Sequence, residues 1–370
     1  MLGFGLIGTG FMGKAHALAY RTASAVMGDI PGVRLQTVCD VPTDRAEAMA
    51  RQLGFARATD NWRNVIDDPA VDIISVTTPN ALHHEMTLAA ITAGKHIHCE
   101  KPLALTLKEA EEMADAARAA GTRTMVGYNY IQNPAVLHAQ TLINSGRIGR
   151  VVHFRGCVDE DYQADPDLPW TWRARRADAG LGTLGDLGCH LVSIAHTLMG
   201  PINSLIADTQ IIHKSRPLPD GSGRAEVENE DTASAIVRFA NGAQGSICSS
   251  RSAWGRKNKL DWEVHGTAGM IAFSQERLNE LQLYLNEGPK SEQGFRTILT
   301  GPEHQPYGQF CPAPGHQLGF GDLKIIEVAQ FIRAIVEGRE AFPNFTDALG
   351  FERVIHAIDQ SARDGRRVEL

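Results

Sequence analysis

Three groups of residues in this chain have the types and spacing to do chemistry. Gly8-Thr9-Gly10-Phe11-Met12-Gly13 reads GxGxxG between an apolar run and a helical stretch. In that setting Gly8, Gly10 and Gly13 permit a tight turn and a close approach to a pyrophosphate, with Phe11 and Met12 opening the helix beneath it. Asp40 closes the next apolar run, where a carboxylate can accept hydrogen bonds from adenosine ribose hydroxyls. Its charge would repel a 2′-phosphate, which favours NAD over NADP. The interval from Gly13 to Asp40 is long, and a loop insertion over 27–34 accounts for it. The second group is Glu100-Lys101-Pro102, an amine beside a carboxylate, with Pro102 disfavouring helical geometry at Lys101. Such an amine can face a nicotinamide and a reacting alcohol; taken alone, a Lys-Pro pair reads as a solvated loop. The third group is Asp186 and His190, four residues apart after a glycine-rich start at Gly180. Leu184, Leu187, Leu191, Ile194 and Leu198 recur at helical spacing, so the stretch predicts one helix with Asp186 and His190 on one face. Imidazole suits proton transfer near neutral pH. The carboxylate either holds a substrate hydroxyl or tunes the ring. A helix-start aspartate and a core histidine are the plain alternative.

The elements that must carry these groups alternate at first. Apolar runs at 2–7, 33–39, 71–77, 96–99 and 124–128 read as strands, and 15–26, 43–53, 81–93 and 107–120 as helices. VDIISVT is almost continuously apolar, as in a parallel strand buried on both faces. This alternation predicts an α/β, doubly wound parallel sheet over residues 1–128. Thr77, Thr78 and Asn80 then fall at the sheet's carboxyl edge, where a nucleotide passes; Asn80 also suits an N-cap, and the two roles are compatible. Beyond residue 128 the pattern becomes strand-rich: 151–157, 205–213, 232–239, 243–250, 260–265 and 281–285. Asn241-Gly242 marks a hairpin and 266–269 a further turn. Residues 129–370 are therefore predicted to form one α+β domain with a large open, mainly antiparallel sheet.

Composition removes several function classes. The 370 residues include 36 basic and 43 acidic side chains, a formal charge of −7, and no basic block. A nucleic-acid partner needs a basic footprint, so none is expected. No apolar run has bilayer length and none resembles a signal peptide; the expectation is a cytoplasmic protein without a membrane partner. Six cysteines at 39, 99, 157, 189, 248 and 311 include no CxxC pair and read as small buried hydrophobes. Fourteen histidines contain no HExxH or comparable ligand spacing, so no metal is expected.

The motifs GTGFMG, TTPNALHHE, CEKP, GYNYIQNPAV, SGRIGRV and GDLGCHLVS, in that order, resemble the Gfo/Idh/MocA family of sugar and cyclitol oxidoreductases over essentially the whole chain. The resemblance implies a Rossmann domain followed by an α/β domain whose open sheet makes homodimer or homotetramer contacts. It implies that Lys101 is the catalytic lysine and that Asp186 and His190 are the substrate-binding and acid–base pair. Glu100, His83 and Asn129 would lie along the nicotinamide half of NAD, with Trp172 and Arg173 closing over it. The stretch 159–193, with GFRTILTGP and 315–324, is similar to a subgroup of NAD-dependent scyllo-inositol dehydrogenases that also oxidise L-glucose, and to levoglucosan dehydrogenases. The implied reaction is oxidation of a scyllo- or myo-inositol hydroxyl to an inosose, and of L-glucose to its lactone. Levoglucosan or another sugar is the alternative substrate, and a non-catalytic NAD-sensing regulator the alternative of another class. Ser193 departs from the family's acidic residue at that position, which leaves the Asp186–His190 pair intact. Tyr162, Trp170, Trp172, Arg173, Arg175 and Arg176 mix aromatic faces with paired donors, as a polyhydroxylated ring requires. Tyr162, Arg176 and His316 join Lys101, Asp186 and His190 as expected substrate contacts, His316 from a Gly/Pro-rich loop that could serve a neighbouring subunit.

Overall fold

A computed structural model describes every residue from Met1 to Leu370, and the chain divides into two compact units. The first comprises residues 1–132 together with 319–349. Its sheet has six parallel strands: β1 (Leu2–Ile7), β2 (Val33–Cys39), β3 (Arg57–Thr59), β4 (Ile73–Val76), β5 (His96–Cys99) and β6 (Thr124–Val126). They lie in the order β3-β2-β1-β4-β5-β6, the doubly wound arrangement with its switch between β1 and β4. All four residues of β4 are buried, as a parallel strand covered on both faces requires. Phe4 of β1 stacks on Tyr20 of the helix Phe11–Met27, with ring centroids 4.0 Å apart. The helix Leu107–Ala120 starts on a Thr106/Glu109 capping box and stops at Gly121 in left-handed geometry, so both ends are written locally.

Several boundaries differ from the sequence expectation. The strand at 71–77 is confined to four residues, and the helix expected over 81–93 is a 3-10 turn, Asn80–Leu82, followed by the helix His83–Thr92. Pro79 occupies the position before that turn and no side chain caps it, so Asn80 is not an N-cap. The insertion expected over 27–34 is shorter, because the first helix runs through Met27. The larger difference is in the chain's division. The helix Phe320–Glu337, expected within a continuous second domain, packs with the first unit: Phe320 lies 5.4 Å from Phe11, and Arg333 pairs with Asp29 at 2.8 Å.

The second unit comprises residues 133–318 and 350–370. Its nine-stranded sheet uses β7 (Val151–Asp159), β8 (Ile202–Gln210), β11 (Thr232–Phe239), β12 (Gln244–Ser250), β13 (Lys259–Gly266), β14 (Gly269–Ser274), β15 (Glu280–Leu285), β16 (Arg296–Leu299) and β17 (Val368–Glu369). The order is β16-β15-β14-β13-β7-β12-β11-β8-β17, antiparallel except for β7 with β12. Two short strands, β9 (Ser215–Pro217) and β10 (Arg224–Glu226), pair separately. β11 and β12 form the hairpin predicted at Asn241-Gly242, where Gly242 has φ +86°. Buried and exposed residues alternate strictly along most of β11, so this sheet has one covered face and one open face. Leu191 of the helix Cys189–Met199 lies on the covered face against Gly156 of β7. All six cysteines are free thiols, and no helix is long and apolar enough to cross a membrane.

Candidate active site

The first unit carries the glycine-rich turn between β1 and the helix Phe11–Met27. Gly8 has φ +95°, and a Cβ on Gly13 would fall 2.1 Å from the Gly8 carbonyl oxygen, so the fold itself demands glycine at both. Gly10 differs: a Cβ there would meet no protein atom within 4 Å. Gly10 caps the helix without a side-chain bond, and the first turn carries no acidic residue, leaving backbone N–H groups directed at open space. These features fit a pyrophosphate. Phe11 is largely exposed and Met12 half-buried at the same helix start. Asp40 Oδ2 accepts the Thr9 N–H at 2.9 Å and also the Thr9 hydroxyl, while Oδ1 accepts the Val41 N–H at 2.7 Å. The carboxylate is thereby fixed beside the glycine turn, with the exposed Arg45 guanidinium 3.2 Å away.

At the carboxyl edge, Thr77 Oγ1 donates to the Gly8 carbonyl at 2.8 Å and ties β4 to that turn. Thr78 is half-buried, its hydroxyl 3.8 Å from Met86 Sδ, and Asn80 opens the 3-10 turn. His83 corrects the expectation. It is wholly buried, each ring nitrogen 3.0 Å from a backbone carbonyl, of Thr78 and of Pro102. Burial, opposed only in part by those carbonyls, lowers its pKa, and the ring braces two loops instead of facing a ligand. Asn129 is also buried, and its side-chain nitrogen finds no protein partner. Lys101 is half-buried, and the Lys101–Pro102 peptide is cis. Its backbone N–H donates to Glu100 Oε2 at 3.2 Å. Glu100 is itself buried against His16 Nε2 at 2.8 Å and Lys324 Nζ at 3.0 Å, two partners the sequence reading did not name.

In the second unit the expected helix start is a distinct structure. Residues Leu184–Gly188 form a π-helical turn, in which the Cys189 N–H reaches the Leu184 carbonyl five residues back, and a regular helix follows over Cys189–Met199. The five apolar positions of the predicted stripe are all buried. Glu230, distant in sequence, builds the turn: its carbonyl accepts the Thr183 N–H at 2.9 Å and its Oε1 the Leu184 N–H at 3.0 Å. Asp186 sits on the π turn with about a third of its side chain exposed, and Tyr162 donates to its Oδ2 at 2.5 Å. Burial, and then the neighbouring Asp186 charge, push the Tyr162 hydroxyl well above its ordinary range and keep it a donor. The Arg173 guanidinium lies 3.9 Å from Asp186 and 4.5 Å over the Trp172 ring. His190 is buried on the first turn of the regular helix, and Ser193 Oγ donates back to the His190 carbonyl at 2.8 Å. Arg176 is committed elsewhere: it pairs with Asp359 at 2.5 Å. His316 lies exposed on its loop, with Nδ1 3.2 Å from the Ala313 carbonyl. The unit thus joins an oriented, water-accessible carboxylate to an imidazole four residues on, a set able to grip a hydroxyl and move a proton.

Comparison with known proteins agrees with this arrangement. Residues 2–128 match the model of the oxidoreductase family with an NAD-binding Rossmann fold, and residues 136–272 the Gfo/Idh/MocA C-terminal domain. A levoglucosan dehydrogenase from Pseudarthrobacter phenanthrenivorans is 40% identical over 98% of this chain and 96% of its own. The scyllo-inositol 2-dehydrogenase (NAD(+)) of Bacillus subtilis is 27% identical over 95% of this chain and 93% of its own. The solved structure of a levoglucosan dehydrogenase in complex with NADH and L-sorbose superimposes with a TM-score of 0.97 at 40% identity, covering 100% of this chain and 98% of that one.

Proposed function

The chain belongs to the Gfo/Idh/MocA oxidoreductase family and has an NAD-binding Rossmann domain, and from that premise we propose that it is a sugar dehydrogenase oxidising a ring secondary hydroxyl, with levoglucosan preferred to inositols. The observation that carries the reading is the part-exposed Asp186 carboxylate, held by Tyr162 on a π turn that leads directly into His190. Preference for levoglucosan is supported by the 40% identity to a levoglucosan dehydrogenase against 27% to the scyllo-inositol enzyme. Inositol oxidation to an inosose, with L-glucose oxidation to its lactone, is the second reading, favoured by that full-length inositol relative.

In this reading Gly8, Gly10, Gly13, Asp40 and Asn129 hold NAD. When bound, NAD supplies the hydride acceptor. Asp186 receives a substrate hydroxyl and Arg173 a second oxygen, while the Tyr162 hydroxyl keeps Asp186 in one orientation. His190 takes the proton of the reacting hydroxyl, and Lys101 stabilises the developing alkoxide. Self-association through the open face of the nine-stranded sheet also belongs to the proposal, since Ile236 and Ile206 stand directly opposite each other there and are both exposed.

NADH formation measured with levoglucosan, scyllo- and myo-inositol and L-glucose tests the assignment. Highest kcat/KM on levoglucosan is expected. Highest kcat/KM on an inositol would transfer the assignment to the second reading. NAD binding without turnover on any polyol would favour the regulatory alternative.

A further inference from the structure

The first unit contains a buried polar chain whose members no cofactor or substrate contact explains. Tyr20 OH donates to His98 Nδ1 at 3.2 Å, and His98 Nε2 donates to Glu327 Oε1 at 2.9 Å. Lys324 Nζ donates to Glu327 at 2.6 Å and to Glu100 Oε1 at 3.0 Å. His16 closes the chain, donating Nε2–H to Glu100 at 2.8 Å and facing the Ser75 hydroxyl through Nδ1 at 2.9 Å. His16, His98, Lys324 and Glu327 are entirely inaccessible to solvent. The ligand atoms of His16, His98 and Glu327 lie within 4.8 Å of one another, a metal-like set. The Lys324 ammonium already supplies the cation at that point, so the cluster is an ion network.

Glu100 is the member that leaves the network. Its Oε1 faces Lys324 and His16, and its Oε2 accepts the Lys101 backbone N–H. A Cβ at residue 127 would come within 2.4 Å of the carboxylate, so Gly127 on the neighbouring strand end is what admits it. We propose that Lys324 and His16 are positioning residues that hold Glu100 as a fixed carboxylate and, through it, set the backbone and the charge environment of Lys101. The inference rests on the dehydrogenase reading, in which Lys101 meets the alkoxide.

The charges support the direction of the effect. Burial pushes the Glu100 carboxyl up, but the Lys324 ammonium and the His16 bond outweigh it and leave the carboxyl well below its usual range. Burial likewise pulls the Lys324 ammonium down, and Glu100 and Glu327 together reverse that and raise it. Burial lowers His16 to about 3, aided by His98 and Lys324, so the ring is a neutral donor to Glu100. The remaining charged or titratable groups acting on this site are Lys101, which lowers Glu100, and the buried His83, on which Glu100 acts. An ionised Glu100 in turn favours the protonated amine at Lys101, the form that polarises an oxygen.

The test uses the full-length protein. Lys324→Met leaves two buried carboxylates without their cation and is expected to lose thermal stability. Lys324→Met with Glu327→Gln keeps the net buried charge and is the deciding variant. Lysines are reductively methylated with ¹³C-formaldehyde, and the Lys101 resonance, assigned with Lys101→Arg, is followed from about pH 5 to 9. Without Lys324, Glu100 should take up a proton within this range. The Lys101 resonance should then gain an inflection that wild type lacks and that Glu100→Gln removes. The acid limb of kcat should move up to the same pH, with kcat reduced roughly tenfold below it and NADH affinity little changed. A resonance and pH profile like wild type overturn the proposal; so does an inflection at Lys101 with unshifted kcat. If wild type oxidises no polyol, the dehydrogenase reading fails, and the Lys101 inflection alone decides whether Lys324 acts on Lys101 through Glu100.

Discussion

Glu100 in the first unit and Asp186 in the second are both carboxylates with several protein partners, prepared for opposite conditions. Glu100 is buried and balanced by an ammonium and a neutral imidazole, which hold its carboxyl well below the usual range. Asp186 keeps about a third of its surface open and has a tyrosine hydroxyl and a more distant guanidinium beside it. A buried pair obtains its geometry from the fold and tolerates no loss of one member. A part-exposed carboxylate retains acceptor capacity for an incoming hydroxyl. The contrast separates holding a catalytic group in place from meeting a substrate.

Breaking the exposed half should give the largest effect. His190→Ala removes the proton acceptor and should lower kcat by ~10²–10⁴ while leaving NADH affinity near wild type. Stopped-flow turnover with fluorescence titration of NADH checks both, and near-wild-type kcat would remove His190 from the acid–base role.

Acid should next separate the two units. His16 lies at about 3 and His196 of the second unit at about 4, both through burial, with His16 further lowered by His98 and Lys324. The unfolded chain protonates these histidines near their ordinary 6.5, before the folded chain does. Stability should therefore fall as pH drops below about 6.5, and the His16 contribution should continue falling to lower pH than that of His196. Glu100 and Glu327, both held below their usual values, add losses at the acid end. Thermal unfolding across this range, with hydrogen exchange to locate the first unit to open, measures the order. Constant or rising stability on acidification would show that the histidines are not buried in this way.

Tyr162→Phe removes one charge-assisted bond to Asp186 at a part-open site, and should lower kcat/KM by about tenfold with a modest fall in stability. A change confined to stability would make Tyr162 a packing residue only. The smallest effect belongs to Arg176→Ala. Its pair with Asp359 is substantially exposed on the arginine side, so the expected loss is about 1 kcal/mol or less by urea unfolding. A rise in KM instead would return Arg176 to the substrate site.

Legibility in the sequence follows the same division. β1, β2, β5 and the helix Leu107–Ala120 were readable because apolar runs and periodicity are local signals. The spacing of Asp186 and His190 read as one regular helix, and the π turn that carries Asp186 was not legible. Its register depends on Glu230, whose carbonyl and carboxylate occupy the first N–H groups of the turn from far along the chain. β3 escaped notice because three residues carry too little pattern. His83 looked like a ligand contact, whereas two loop carbonyls on either side of it decide its role. The partners of Glu100 come from residues 16 and 324, and no local pattern brings those together.

That last separation has a consequence for how the molecule is made. A ribosome releases Glu100 and His98 more than two hundred residues before Lys324 and Glu327. Until the later segment emerges, Glu100 has His16 but not Lys324, and His98 has Tyr20 but not Glu327; closing such contacts carries the slow kinetics of high sequence separation. The nascent Rossmann half therefore cannot complete its buried charge network until residues 133–318 of the second unit have been made. A gene fragment ending at residue 132 encodes the parallel sheet but omits its charge balance. An excised nucleotide-binding module would have to be stitched from 1–132 and 319–349 to stand alone.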